Sequence, residues 1–253
     1  MAKSTENPAQ LRSRVTDVIR EKLTTREIRP GDPLRLGPLA EAVGMSVTPV
    51  REALLLLTHD GWVTHEPNRG FRVAPISRSD IEEIYFIWAM AEAQMAARAA
   101  TRATARDVAV MRSLDRQINE ADPPDGPEAM RLNDQFHKEV FIASDSPKLG
   151  WFRQAAFRLV PFRLPAAVEG VSEWGQLNRT AHKPIIDAIA AGDASTAGYL
   201  MWRHIQDTSD ALLRSLDAID MWADEDADHV VLADEHTLQF IPTWTRPDSN
   251  PIG

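Results

Sequence analysis

Residues 44–54 read GMSVTPVREAL, and this stretch decides the fold of the N-terminal part of the chain. Ser46 is a favourable helix cap, and Pro49 falls in the first turn, where a missing backbone N–H costs little. The apolar residues that recur at helical spacing on one face are Val50, Leu54 and Leu57. The stretch therefore predicts a helix that packs through that face and turns Thr48 and Arg51 outward.

The segments on either side predict a helix-turn-helix with a wing. Gly44 allows a tight turn before the helix. The apolar residues that predict a shorter supporting helix are Leu36, Leu39, Ala40 and Val43. Residues 62–65 and 71–73 flank a turn of Pro, Asn and Gly, which predicts a hairpin with Arg69 at its tip. Because a helix-turn-helix presents the N-terminal end of its second helix to base edges in the major groove, double-stranded DNA is the expected partner.

Five segments resemble the winged-helix domain of the GntR family of bacterial transcription regulators. They are residues 28–34 (IRPGDPL), 39–40 (LA), 46–54 (SVTPVREAL), 61–63 (GWV) and 68–73 (NRGFRV). The resemblance implies an operator contact surface made of Arg35, Ser46, Thr48, Pro49, Arg51, Asn68, Arg69 and Gly70. The family usually has an arginine where this chain has Val47, so its usual operator sequence is not implied, because valine cannot replace an arginine's contacts. A winged helix that mediates only protein contacts is the alternative.

Length and charge favour two domains of opposite character. A chain of 253 residues exceeds one average domain. Residues 1–75 hold 11 Lys and Arg against 9 Asp and Glu, whereas the whole chain carries a net charge of −9, so the negative charge lies in the remainder. The chain has no cysteine, which excludes disulfides and thiolate metal sites, and it shows neither a signal peptide nor a membrane-length apolar run. We therefore expect a cytoplasmic protein with no membrane partner. Its predicted parts are a winged helix (1–75), a helical domain (76–216) and an acidic extension (217–253).

Beyond residue 75 the sequence predicts an all-α helical bundle, so the fold class is mainly α. Ser79, with Glu82 three residues later, predicts a capping box at the start of the first helix, and Thr104 opens the second. Residues 120–127 break the chain with three prolines and a glycine. Further helices are predicted over 128–144, 147–163, 176–191 and 193–216.

This half resembles the FCD domain, the helical ligand-binding domain of the FadR-type branch of the same family. The segments that carry the resemblance are 80–85 (DIEEIY) with Glu92, 133–137 (NDQFH) with Ala143 and Ser144, and 182–189 (HKPIIDAI) with Gly192, Asp193 and His204. The resemblance implies that Asn133, His137, His182 and His204 hold a divalent metal. Asn133 and His137 are four residues apart, hence on one helix face, and three imidazoles with one oxygen ligand suit Zn or Ni. The alternative is that each histidine is an ordinary core or surface residue.

A metal with open coordination positions in a helical pocket would capture a small carboxylate, which is also the class of effector that the family implies. Arg158 and Arg163 are candidates to pair with a second carboxylate of that effector. Trp88 stands where the family often has arginine, and an aromatic wall there favours a less polar effector. The alternatives are arginines that face solvent and a tryptophan that belongs to the ordinary core.

The acidic extension carries neither resemblance. Residues 217–235 contain eight acidic residues and no Lys or Arg. Such a composition is typical of a disordered or loosely docked extension. Alternatively, Trp222, Phe240 and Trp244 pack onto the bundle or a neighbouring subunit, and residues 230–232 form a short strand.

Joined in one chain, these parts predict a ligand-responsive transcription regulator that acts as a repressor and binds a palindromic operator as a homodimer. We expect no enzymatic activity, because no general base accompanies the histidines in a recognisable motif. The first alternative is a metal-dependent enzyme built on the bundle, since three histidines can activate water. The second alternative is a constitutive DNA-binding protein without an effector.

Overall fold

The computed structural model describes residues 8–25, 27–59, 61–66, 69–159, 172–218, 220 and 222. Predicted features outside the described residues are Asn68, Arg163, the side chain of Arg158, Phe240, Trp244 and residues 230–232. The described helices are α1 (Pro8–Thr24), α2 (Leu36–Val43), α3 (Val47–His59), α4 (Arg78–Ala100), α5 (Ala105–Glu120), α6 (Pro127–Ser144), α7 (Pro147–Leu159), α8 (Ser172–Ala190) and α9 (Ala194–Ala218). The described strands are β1 (Pro33–Leu34), β2 (Val63–Glu66) and β3 (Gly70–Val73). Among these helices, none combines the length and the apolarity that a membrane crossing requires.

Helices α2 and α3 form the predicted helix-turn-helix, and a small sheet forms the wing. Gly44 ends α2 with a φ of 67°, in the left-handed region that glycine adopts without strain. The sheet has the order β1-β3-β2 with antiparallel pairing throughout, and Val63 pairs with Val73. The predicted hairpin strands are therefore confirmed to within one residue at each end.

Helix α1 is missing from the sequence-based prediction. It packs against α2 and α3. Its buried residues recur every four positions: Leu11, Val15, Ile19 and Leu23. That spacing is the ordinary signal of an amphipathic helix, so the sequence did contain the information that was missed.

Helix α4 is central to the bundle, since it packs against α6, α7, α8 and α9. Its start corrects the prediction, because Ser77 and not Ser79 is the N-cap. The Ser77 hydroxyl accepts from the backbone N–H of Asp80 at 3.1 Å, and the Asp80 carboxylate accepts from the backbone N–H of Ser77 at 2.7 Å. The sequence offers the same serine-to-acid spacing twice. Ser79 already lies inside the first turn, and Glu82 instead pairs with Arg78 at 3.1 Å.

The remaining helices follow the predicted order. Thr104 is the N-cap of α5, as the predicted helix start requires, and the structure adds a capping box with Asp107. Helix α8 begins at Ser172, earlier than the predicted residue 176, and α7 is described only to Leu159, so its predicted end at 163 lies outside the described part of the chain. After α9, Trp222 packs against the hydrophobic core and its indole N–H donates to Asp217 at 2.7 Å.

Candidate metal centre and nucleic-acid interface

Three histidines from three helices meet inside the bundle. His137 lies on α6, His182 on α8 and His204 on α9, and all three are buried. One ring nitrogen of each lies within 4.8 Å of the others, and the Nε2 atoms of His182 and His204 are 3.3 Å apart. The structure thus brings three of the four predicted metal ligands into one cluster that can hold a metal ion.

Ring packing orients these histidines. His182 stacks on Phe136 with a centroid distance of 4.0 Å, and His137 lies almost parallel to His204 at 5.4 Å. Phe136 is fully buried and directly precedes His137 on α6. One apolar ring therefore helps to position a histidine from another helix.

Burial keeps two of the histidines neutral. It lowers the pKa of His182 well below the ordinary value, and the neighbouring His204 and His137 lower it further. Burial also lowers the pKa of His204 to about 3, and His137 adds to this effect against the opposing charge of Glu92. At neutral pH both rings therefore keep a nitrogen lone pair, which is the form that binds a metal.

The spacing of two ring nitrogens and one buried oxygen atom also fit a bound cation. Two nitrogens at the usual Zn–N distance and at the tetrahedral angle lie about 3.3 Å apart, which matches the separation of His182 and His204. The Oδ1 atom of Asn133, four residues before His137 on α6, is buried and has no hydrogen-bond partner in the part of the chain that the structure describes. A buried acceptor without a partner is costly, and a cation would satisfy it. Two neutral rings can also share one N–H···N hydrogen bond at this distance, so elemental analysis for bound metal distinguishes the two arrangements.

Glu92 is a residue of this site that the sequence-based selection missed. It is fully buried on α4, where one carboxylate oxygen accepts from the indole N–H of Trp88 at 3.1 Å and from Nε of Arg153 on α7. Its other oxygen lies 3.3 Å from Nδ1 of His137. A proton on Nδ1 that donates to Glu92 leaves Nε2 of His137 free to bind a metal. The signal for Glu92 in the sequence was one acidic residue among the apolar residues that α4 buries.

The side chains that contact Glu92 keep it ionised. Burial alone raises the pKa of Glu92, but His137 and Arg153 outweigh burial and lower the pKa to about 2. Arg153 was not predicted as a site residue either, although its side chain is only 20% exposed. Trp88, predicted as a wall of the effector pocket, is buried and uses its indole N–H to bind Glu92.

The predicted DNA-contacting residues of α3 lie at the surface of the winged helix. Thr48 and Arg51 are exposed in the first turns of α3, as is Ser46 directly before it. The face formed by Val50, Leu54 and Leu57 is buried, as predicted. Pro49 is partly buried, and Arg35 is exposed directly before α2.

Among the described residues of the wing, Arg69 is the most exposed cation. The Arg69 side chain is 74% exposed and lies 3.3 Å from the Glu66 carboxylate at the end of β2. Gly70 follows with a φ of 82°, which allows the sharp turn into β3. The exposed apolar residues of α3 are Val47, Leu55 and Leu56. The outer face of the winged helix therefore combines a few cations with apolar surface.

Two known families match separate parts of the chain. The family described as bacterial regulatory proteins, gntR family, matches residues 11–73, and the FCD domain matches residues 83–207. The Nta operon transcriptional regulator of Aminobacter aminovorans is 30% identical over 48% of this chain and 58% of its own length. The HTH-type transcriptional regulator McbR of Escherichia coli (strain K12) is 29% identical over 53% of this chain and 62% of its own length. The match thus spans less than two thirds of each of these curated relatives.

A solved structure extends the likeness over most of the chain. The structure of E. coli McbR/YncC is 25% identical, covers 81% of this chain and 97% of its own, and has a TM-score of 0.60. Its likeness therefore includes both the winged helix and the helical bundle. The chain belongs to the GntR family of bacterial regulatory proteins, in the branch that joins the winged helix to an FCD domain.

Proposed function

We propose that this chain is a ligand-responsive, DNA-binding transcription regulator, acting as a repressor, whose helical domain uses a divalent metal to hold a small carboxylate effector. The observation that carries the proposal is the buried cluster of His137, His182 and His204 in a chain that also bears a winged helix. We assign DNA binding to residues 1–75, effector binding and dimerisation to 76–216, and no role to 217–253. Because chromosomal DNA is the proposed partner, the proposal includes a cytoplasmic location.

DNA binding rests on the exposed cations of α3 and the wing. Arg51 stands at the end of α3 that a helix-turn-helix turns toward base edges, and Arg69 lies where a wing reaches the phosphates. In a gel-shift titration with DNA selected from a random pool, Arg51→Ala and Arg69→Ala should each weaken binding. About 1–3 kcal/mol is typical for a specific base contact. Arg116→Ala, which removes an exposed arginine of α5, is the control. Wild-type affinity in both test variants would refute the proposed interface.

The metal proposal assigns Zn or Ni to the three histidines, with Asn133 as a weaker fourth ligand. When bound, the ion supplies a Lewis-acidic position for a carboxylate oxygen. We expect one equivalent of metal by elemental analysis and a fall in the melting temperature on chelation, because a metal that binds only the folded state stabilises it by mass action. His182→Ala should remove both effects, whereas His59→Ala, an exposed histidine at the end of α3, should keep them. A metal-free protein whose melting temperature ignores chelators would contradict the proposal.

The homodimer is inferred from an apolar patch on α4 and α7. Its five residues are each more than half exposed: Phe86, Ile87, Met90, Trp151 and Phe152. The rings of Trp151 and Phe152 lie 5.0 Å apart, and both line the same groove as Ile87. A monomer rarely leaves such a patch open, and a second copy would cover it with two-fold symmetry that matches a palindrome.

Sedimentation tests the dimer directly. The molar mass of the wild-type protein from sedimentation should be about twice the 28.2 kDa of one chain. Ile87→Asp should shift it to the monomer and weaken DNA binding, because a buried charge opposes association. Val110→Asp changes an exposed apolar residue of α5, outside the patch, and should stay dimeric. A dimeric Ile87→Asp protein would show that the patch is not the interface.

The effector proposal keeps Arg158, Arg163 and Trp88 as candidate contacts. Small carboxylates should change the affinity of the metal-loaded protein for DNA. If none does, the alternative of constitutive DNA binding is favoured. The metal-dependent enzyme receives no support, because the named relatives are transcriptional regulators.

A further inference from the structure

One buried amide on the helix that carries His182 has no partner among the described residues. Asn178 on α8 is 1% exposed, and neither its Oδ1 nor its Nδ2 makes a hydrogen bond to any of them. Native proteins pair most buried polar atoms, because an unpaired donor or acceptor loses its hydration without compensation. Two unpaired atoms on one amide therefore need partners from a bound ligand or from ordered water.

The position of Asn178 connects it to the metal centre. It lies four residues before His182, so the two side chains share one face of α8, with Cβ atoms about 5–6 Å apart. Helix α6 repeats the arrangement with Asn133 and His137, and Oδ1 of Asn133 is also unpaired. The two amides differ in what they offer. Asn133 presents a buried, unpaired acceptor alone, whereas Asn178 presents an acceptor and a donor.

We propose that Asn178 selects the effector, and that this effector is a carboxylate that also carries a hydroxyl group. The inference rests on the proposed function, because it requires a carboxylate at the metal. An ionised carboxylate only accepts hydrogen bonds, so it can pair with Nδ2 but leaves Oδ1 unpaired. A hydroxyl group both donates and accepts, so it completes the pairing of the amide. An ammonium group can donate to Oδ1, but its charge would have to be desolvated beside a metal cation, which disfavours amino acids.

Three dicarboxylates with the same carbon skeleton test the selection. Succinate, malate and aspartate differ only in whether one carbon carries hydrogen, hydroxyl or ammonium. In calorimetric titrations of the Zn-loaded full chain, malate should bind about 10–100-fold more tightly than succinate, the factor that one unpaired buried polar group typically imposes. Aspartate should bind no more tightly than succinate.

Asn178→Leu removes both polar atoms and keeps a similar shape. In this variant malate should bind no more tightly than succinate, while the affinity for Zn stays unchanged. The melting temperature of the metal-free variant should not fall, because the native amide makes no hydrogen bond that could be lost. Asn178→Thr keeps a hydroxyl as donor and acceptor and should retain part of the preference. Asn119→Leu changes an exposed asparagine of α5 and is the matched control.

The outcomes separate this inference from the function on which it rests. If succinate and malate bind equally to the wild-type chain, or if Asn178→Leu keeps the preference, Asn178 does not select the effector while the carboxylate proposal stands. A large fall in the metal-free melting temperature of Asn178→Leu would show that the amide is structural and overturn the inference. If neither dicarboxylate binds and no other small carboxylate does, both proposals fail together.

Discussion

The buried pair of Glu92 and Arg153 predicts a large and non-additive effect on stability. Glu92→Leu leaves the Arg153 guanidinium, only 20% exposed, without its carboxylate, and Arg153→Met leaves a fully buried carboxylate without its arginine partner. Removing one partner of a buried pair typically costs about 3–5 kcal/mol. At about 2–4 °C per kcal/mol for a chain of this size, each single change should lower the melting temperature by on the order of 10 °C.

The double variant supplies the decisive measurement. Because it removes both charges, the double variant should be no less stable than the less stable of the two single variants. If the two losses of stability were independent, they would instead add to about 6–10 kcal/mol. Thermal and urea unfolding of the four proteins give the coupling free energy. The matched control is the exposed pair of Glu128 and Arg131 on α6, 2.6 Å apart, where the same Leu and Met changes should have no measurable coupling. Additive losses at Glu92 and Arg153 would refute the buried ion pair.

Further changes test the helix start and the metal ligands. Ser77→Ala should destabilise the chain by about 1 kcal/mol in urea unfolding, because it removes the cap of α4, whereas Ser79→Ala should cost less; the reverse order would restore Ser79 as the cap. Asn133→Asp should tighten Zn binding in calorimetry, because a carboxylate adds charge complementarity to a cation, and an unchanged affinity would remove residue 133 from the ligand set. Glu92→Gln should weaken Zn binding by about 10-fold or more, since outer-shell partners of a metal-bound histidine typically contribute that much, and an unchanged affinity would separate Glu92 from the metal centre.

Local signals explain which parts of the fold the sequence could predict. The turn at Gly44, the helix start at Thr104 and the buried face of α3 each depend on residues within one or two turns, and the structure contains all three. The start of α4 was missed because Ser77 and Ser79 both have an acid three residues later, so the local sequence fits an N-cap at either serine. The choice between them depends on where the chain leaves the wing, which the local sequence does not record.

The metal centre also contains residues that the sequence could identify and residues that it could not. The histidines could be selected because their segments resemble the FCD domain, and the spacing of Asn133 and His137, which puts both on one helix face, agrees with the ligand set that the resemblance implies. Glu92 stands among the residues that carry the resemblance, but the sequence does not show which residues pair with it. Its partner His137 lies 45 residues away and its partner Arg153 61 residues away, so the pairings exist only after α4, α6 and α7 have packed. An acidic residue in an apolar helical stripe does carry one general implication: a buried carboxylate needs a cation and donors, so another helix must supply them. The same logic identifies Asn178, except that no described residue supplies its partner, so ordered water or a bound ligand must supply it, and the preference for malate over succinate tests the ligand.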